Sequence, residues 1–362
     1  MEEKKIVLVS VSDLLPGMIV ARDVYTRNNQ LLIPADTEIT ESIIGRMTFF
    51  GVMSIRVYLN DLQENIEEED QEKFMTQQEK RDFAAFKENY ELTMNHVSGN
   101  LNSLLKTGNE INSDKLVEDV DKLVFQSKSR YEIINMVYNI RTFDDETYRH
   151  SLNVAMINSV FAGWLGMSEY ERKQLILCGL LHDVGKLLIS KDILRKPGRL
   201  TEKEYEQIKK HPLLGYEKMK DKKLPESVKR VILLHHERAD GNGYPYGFHL
   251  KEIDPYAAIT AIADVYDAMT SNRVYRHGMS PFDVIEIFEK EGREQFNPMF
   301  LVPILNNLTN TYLQHYVKLS SGQKGKIVLI NKSELSRPMI VLDNNEFIDL
   351  SKERDIKITQ VR

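Results

Sequence analysis

The chain has one cysteine, Cys178, among 362 residues. A single thiol makes no intrachain disulfide and no thiolate cage, so a metal site within this chain would have to use nitrogen and oxygen donors. Proline is sparse at 11 residues while hydrophobic residues reach 42%, which excludes collagen-like and disordered classes. A large excess of one charge is also lacking. The 48 Lys+Arg and 54 Asp+Glu leave a net charge of −6, which argues against a non-specific nucleic-acid binder and a duplex partner but permits a local basic pocket. The uncharged stretch from Ser151 to Ser168 carries Asn153, Asn158 and two glycines and is short for a membrane span, so it reads as a buried helix. The opening MEEKKIVLVS does not have the pattern of a signal peptide. The expectation is a soluble, cytoplasmic protein with no membrane span.

The length suggests two or three structural units with a sizeable core. Residues 1–60 are punctuated by Pro and Gly, rich in Val and Ile, and free of histidine. Met18–Tyr25 and Gln30–Pro34 read as strands joined at Asn28-Asn29, Thr40 opens a short helix, and Val52–Tyr58 is a further strand. Residues 61–140 read as a helical connector: a charged segment with Phe74, Phe83, Phe86, Tyr90, Met94 and Val97 at mostly helical spacing, then a second helical stretch over Asp114–Ile140. Its two readings are a brace, or a stalk that forms a homodimer and couples signals. Residues 141–318 are helical in pattern and hold the unusual chemistry. Residues 319–362 alternate short β-branched runs with turns, a β-rich unit that must pack on something else because an isolated hairpin is marginal. The predicted class is mainly α, with a small α+β unit in front and a short β-rich unit behind.

Five of the nine histidines, His150, His182, His211, His235 and His236, fall within 87 positions. Glu146 and His150 are one helical turn apart, either a ligand pair or an ordinary surface pair. His182 and Asp183 end the aliphatic run Leu175–Leu181, where an unpaired carboxylate would suffer desolvation. Lys186 can reach the same region, and Gly185 either permits close approach or merely ends a helix. Thr201 and Glu204 form a capping-box signal for a helix ending near His211-Pro212, where a histidine can simply serve the terminal carbonyls. His235 and His236 end a second aliphatic run. The loop from Asp240 to Gly247 sets Tyr244 among three glycines and Pro245, over a cleft or on a plain surface turn. Asp264 and Asp267 share one face of a helix over Tyr256–Thr270 and call for a metal, base or salt-bridge partner. Arg273 and Arg276 follow, as phosphate ligands or as surface groups. Imidazoles and carboxylates without thiolate suit Fe, Mn, Co, Ni or Zn, and Asp183 is placed to bridge two ions that activate water against a phosphoryl group. No P-loop or dinucleotide fingerprint offers a rival chemistry.

The ordered set of Glu146 to His150, HDVGK, KKHP, HHERADGNGYP and IADVYDAMTSNRVYR closely resembles the HD-GYP branch of the HD superfamily of metal-dependent phosphohydrolases. The likeness covers about residues 141–318. It implies an all-helical catalytic domain that hydrolyses cyclic di-GMP to linear pGpG, and in many members on to GMP. By the same resemblance His150, His182, Asp183 and Asp264 would hold one ion, and Asp183 would bridge to a second held by His211, His235 and His236. Glu146 resembles the carboxylate seen where the family binds a third ion, so two or three divalent ions, iron or manganese, are implied. Lys186 resembles the lysine near the scissile phosphate, and Arg273 and Arg276 its phosphate-binding residues, while Asp267 is expected to stabilise its helix or to support the ligating side chains. Tyr244 belongs to the GYP loop, which lines the site and offers a surface to signalling proteins. The N-terminal LLPGMIVARDVY and the C-terminal GQKGKIVLINKS resemble the family's common flanking units. Two other readings stay open: a non-catalytic sensing module, and a hydrolase of another cyclic dinucleotide or nucleotide.

Overall fold

The computed structural model describes residues 6–11, 14, 16–26, 30–52, 54–58, 77–107, 110, 112–126, 130–140, 146–194, 196, 201–271 and 278–361. The Asn28-Asn29 turn, Phe74 and the charged start of the connector lie outside them.

The N-terminal unit comprises β1 (Ile6–Ser10), β2 (Ile19–Val20), β3 (Val24–Tyr25), β4 (Leu31–Ile33), α1 (Glu41–Phe49) and β5 (Ser54–Tyr58). β5 lies between β1 and β2, and β3 pairs with β4 as an antiparallel hairpin. Thr40 caps α1 by accepting from the Ile43 amide at 3.3 Å. Leu14, Val20, Ile33, Ile39, Ile44 and Met47 give this unit a core of its own.

The connector is α2 (Gln77–Thr107), α3 (Ser113–Gln126) and α4 (Arg130–Asn139), so the stretch read as one helix over Asp114–Ile140 contains two. Phe86, Tyr90, Met94, Val97, Leu101 and Leu104 line one stripe of α2 and sink into the same core as the helices that follow.

That body holds α5 (Glu146–Trp164), α6 (Glu169–Leu181), α7 (Lys191–Leu194), α8 (Glu202–Ile208), α9 (His211–Met219), α10 (Glu226–Leu234), α11 (Pro255–Thr270), α12 (Pro281–Gln295) and α13 (Pro298–Thr311). A capping box starts α6, with Glu171 accepting from the Ser168 amide at 2.8 Å. The crossing of α5 and α6 needs Gly179, since a Cβ there would stand 2.4 Å from the Ala155 backbone. Asn158 ties three helices together, donating from Nδ2 to Leu175 O at 2.9 Å and to Thr260 Oγ1 at 3.0 Å. Among the described residues no helix is long and apolar enough to cross a membrane.

The C-terminal unit is one antiparallel sheet, ordered β10-β6-β7-β8-β9, from β6 (Tyr316–Leu319), β7 (Lys324–Leu329), β8 (Met339–Leu342), β9 (Phe347–Asp349) and β10 (Ile358–Val361). α12 is the platform for both small units. Its Glu289 accepts the amides of Leu335 and Ser336 at 2.6 and 2.9 Å, and its Glu291 pairs with Arg46 of α1 at 2.5 Å. Phe49 of α1 sits edge-on to Phe288 and Phe296. The architecture is mainly α with the two flanking units read from the sequence.

Candidate metal centre

A helix end leaves carbonyls short of intrahelical donors, and three histidines bond to carbonyls of a last turn. His182 is the C-cap of α6, and its Nδ1 lies 2.8 Å from Gly179 O. His235 is the C-cap of α10, with Nδ1 3.0 Å from Val231 O. His211 differs from the sequence expectation. The Thr201 helix ends at Ile208, and His211 opens the next helix because Pro212 suits a first helical turn, where no amide hydrogen is needed. His211 still reaches back, with Nδ1 2.8 Å from Ile208 O at the end of α8. A carbonyl only accepts, so each Nδ1 carries the proton and each Nε2 presents a lone pair. His150 is aimed from within α5, where Nδ1 donates to Asp267 Oδ2 at 2.8 Å and Nε2 turns to the same place.

The four Nε2 atoms converge. His150 Nε2 lies 3.3 Å from His182 Nε2 and 3.0 Å from Asp264 Oδ1. His211 Nε2 lies 3.2 Å from His235 Nε2 and 3.2 Å from Asp183 Oδ1. Asp183 stands between the two groups. Its Oδ2 is 3.4 Å from His182 Nε2 and 3.6 Å from His150 Nε2, while Oδ1 faces His211 and His235. Donor atoms of Asp183, His211, His235 and His236 lie within 4.8 Å of one another, and so do those of His150, His182 and Asp264. Acceptors facing acceptors at such distances repel unless a cation lies among them. Asp183 Oδ1 and His236 Nε2 are buried without a hydrogen bond, which is the signature of ligands awaiting an ion rather than of a finished polar network. Two candidate metal-binding clusters are therefore present, and the donors fit divalent ions of the Fe, Mn, Co, Ni or Zn type.

The charges agree with that fit. Burial would raise the Asp183 carboxyl, yet Lys186 and His182 hold it well below the usual carboxylate range. Asp264 is likewise lowered against its burial, chiefly by His150. Burial lowers His211 and His236 and takes His235 to about 4, keeping these imidazoles neutral and able to ligate. His150 is also pushed down by burial, but Asp264 and Asp267 outweigh it and raise it to about 10 in the absence of an ion.

Around the clusters, Lys186 Nζ lies 2.6 Å from Asp183 Oδ2 and its side chain is 26% exposed, at the rim. Gly185 is there for close approach: a Cβ would stand 1.9 Å from His211 O. Tyr244 stacks on His236 with centroids 4.6 Å apart, so its ring packs against a candidate ligand. Asp267 accepts from His150, from Asn153 Nδ2 at 2.9 Å and from Ser271 Oγ at 3.0 Å. The side chain of Glu146, at the first residue of α5, and both Arg273 and Arg276 lie outside the described residues.

Two residues carry roles that sequence reasoning missed. Glu237 is buried and accepts the amides of Tyr246 and Phe248 at 2.7 and 2.9 Å, shaping the loop that holds Tyr244. A carboxylate directly after the paired histidines was the available signal. Asn153 showed none, since an asparagine within an apolar stretch reads as a generic buried polar group.

The family model of the HD domain matches residues 115–299, half of the chain. A cyclic di-GMP phosphodiesterase of Pseudomonas aeruginosa is 31% identical over 226 residues, covering 62% of this chain and 54% of that protein. One from Thermotoga maritima is 39% identical over 200 residues, 54% of either chain. A 3′3′-cGAMP-specific phosphodiesterase of Vibrio cholerae is 40% identical over 145 residues, 40% of this chain and 34% of that one. The chain thus spans about half the length of the curated relatives it matches. With the matched region coinciding with the helices that bring these histidines and aspartates together, this chain belongs to the HD domain family.

Proposed function

We propose that this chain is a metal-dependent phosphodiesterase that opens a cyclic dinucleotide, cyclic di-GMP first, to the linear dinucleotide and onward to the mononucleotide. The observation that carries the reading is the Asp183 carboxylate held between two sets of converging imidazole nitrogens. A pair of divalent ions held there supplies Lewis acidity, which lowers the pKa of water and offsets phosphate charge. The chain does the rest. His150, His182, Asp183 and Asp264 hold one ion, and Asp183, His211, His235 and His236 the other. Lys186, at the rim beside Asp183, is the cation placed to meet a nonbridging phosphate oxygen. Arg273 and Arg276 extend that grip, and Tyr244 fixes His236 while bordering the pocket. Following the resemblance of its motifs to the HD-GYP phosphohydrolases, iron or manganese is the metal we favour, and Glu146, one turn before His150, is the candidate ligand of a third ion. A homodimer through the connector has less behind it: α2 buries its apolar stripe in its own chain, and Leu92 is its exposed large apolar side chain among the described residues.

The similarity to a 3′3′-cGAMP-specific relative favours a second substrate reading, a hybrid cyclic dinucleotide. Anaerobic purification, metal analysis and product identification on both nucleotides test the whole proposal. Two or three ions per chain and a linear product are expected. A metal-replete chain that binds the nucleotides and leaves both intact would be a sensing module instead.

A further inference from the structure

The metal-facing histidine of α5 is held by a chain of hydrogen bonds that begins on the connector. Tyr90 of α2 is fully buried, with its ring beside Phe86 and 5.9 Å from the Arg149 guanidinium. Its hydroxyl donates to Asn153 Oδ1 at 2.7 Å. Asn153 Nδ2 donates to Asp267 Oδ1 at 2.9 Å, and Asp267 Oδ2 accepts from His150 Nδ1 at 2.8 Å. Each direction follows from the next. A carboxylate only accepts, so Asn153 must turn its NH2 toward Asp267 and its oxygen toward Tyr90, whose hydroxyl satisfies it. The order is set at one end by a phenol and fixes the His150 ring at the other, with Nε2 turned to Asp264 Oδ1 at 3.0 Å. Tyr90 lies outside residues 115–299, so the relay reaches the cluster from beyond the region the HD model matches.

We propose that Tyr90 and Asn153 are positioning residues for the metal centre, through which α2 holds His150 in its ligating orientation. The inference rests on the metal centre proposed above. It makes the connector part of one cluster and not of the other, because His211 and His235 are anchored on backbone carbonyls of α8 and α10. A displacement of α2 therefore reaches His150 before it reaches the second set.

The test uses the full chain, stripped by chelation and titrated with cobalt(II), whose visible bands report each binding event. Tyr90→Phe keeps the ring and removes one hydrogen bond. It is expected to weaken one of the two events by roughly threefold to tenfold, and Asn153→Ala by about 10–100-fold, with the other event unchanged. Glu91→Ala is the control. It breaks the ion pair with Arg149 between the same two helices, at 2.9 and 3.2 Å, and leaves the relay intact, so both events should stay as in the parent chain. If Asn153→Ala fails to fold, a folded Tyr90→Phe chain decides. Parent-like affinities in Tyr90→Phe, or equal losses in Glu91→Ala, overturn the positioning role while leaving the metal centre standing. A parent chain that binds no cobalt overturns the centre itself, and the positioning role with it.

Discussion

The centre aims its imidazoles in two ways. His182, His211 and His235 are each fixed by a carbonyl three or four residues away at a helix end, so a short piece of chain sets both tautomer and direction. His150 is fixed by Asp267, 117 residues away, and Asp267 depends in turn on Asn153 and Tyr90. Local anchoring is robust because it forms with the helix. Distant anchoring exists only once α2, α5 and α11 have packed, which makes that side of the centre the one open to influence from the rest of the molecule.

The harshest way to break the contrast is Asp183→Ala, which removes the carboxylate common to both sides. Both ions should be lost and turnover should fall by roughly a thousandfold or more, measured by metal analysis and product release. Gly185→Ala should break the local side alone. Its Cβ would collide with the His211 carbonyl, a backbone atom with little room to yield, so the ion held by His211, His235 and His236 should go first. A stability loss of about 1–3 kcal/mol, read in urea melts, should accompany it.

In metal-free protein the two kinds of anchor should answer pH with opposite sign. His150, raised to about 10, is favoured in its protonated form, so the stability it adds is full below its ordinary 6.5 and fades as pH climbs through 10. His235, lowered to about 4, is favoured neutral; the stability it adds is full above 6.5 and fades as pH falls toward 4. His150→Asn should flatten the alkaline limb of a stability profile, and His235→Asn should flatten the acid limb. Thr201→Ala is the mildest change. It removes the cap of α8, whose last turn holds His211, and should cost about 1 kcal/mol in a thermal or urea melt with metal content unchanged.

Much of the local structure could be read from the residues. Thr40 and the Thr201–Glu204 pair marked helix starts, and the apolar runs ending in His182-Asp183 and His235-His236 marked helix ends rich in donors. His211 was harder, because a proline just after it is compatible both with one helix stopping and with another starting. The stripe of Phe86, Tyr90, Met94 and Val97 announced that α2 buries a face. It did not announce that the Tyr90 hydroxyl would be used, since periodicity carries no information about what lies opposite.

The order and chemistry of the donors were determined by the amino-acid sequence itself, as were the three helix-end anchors, because each of those bonds joins residues three or four apart in the chain. Only the tertiary structure decided that seven donor side chains from five segments share two clusters with Asp183 between them. Only it joined Tyr90 to His150, since contacts across dozens of residues depend on how helices cross, and that is a property of the packed core as a whole.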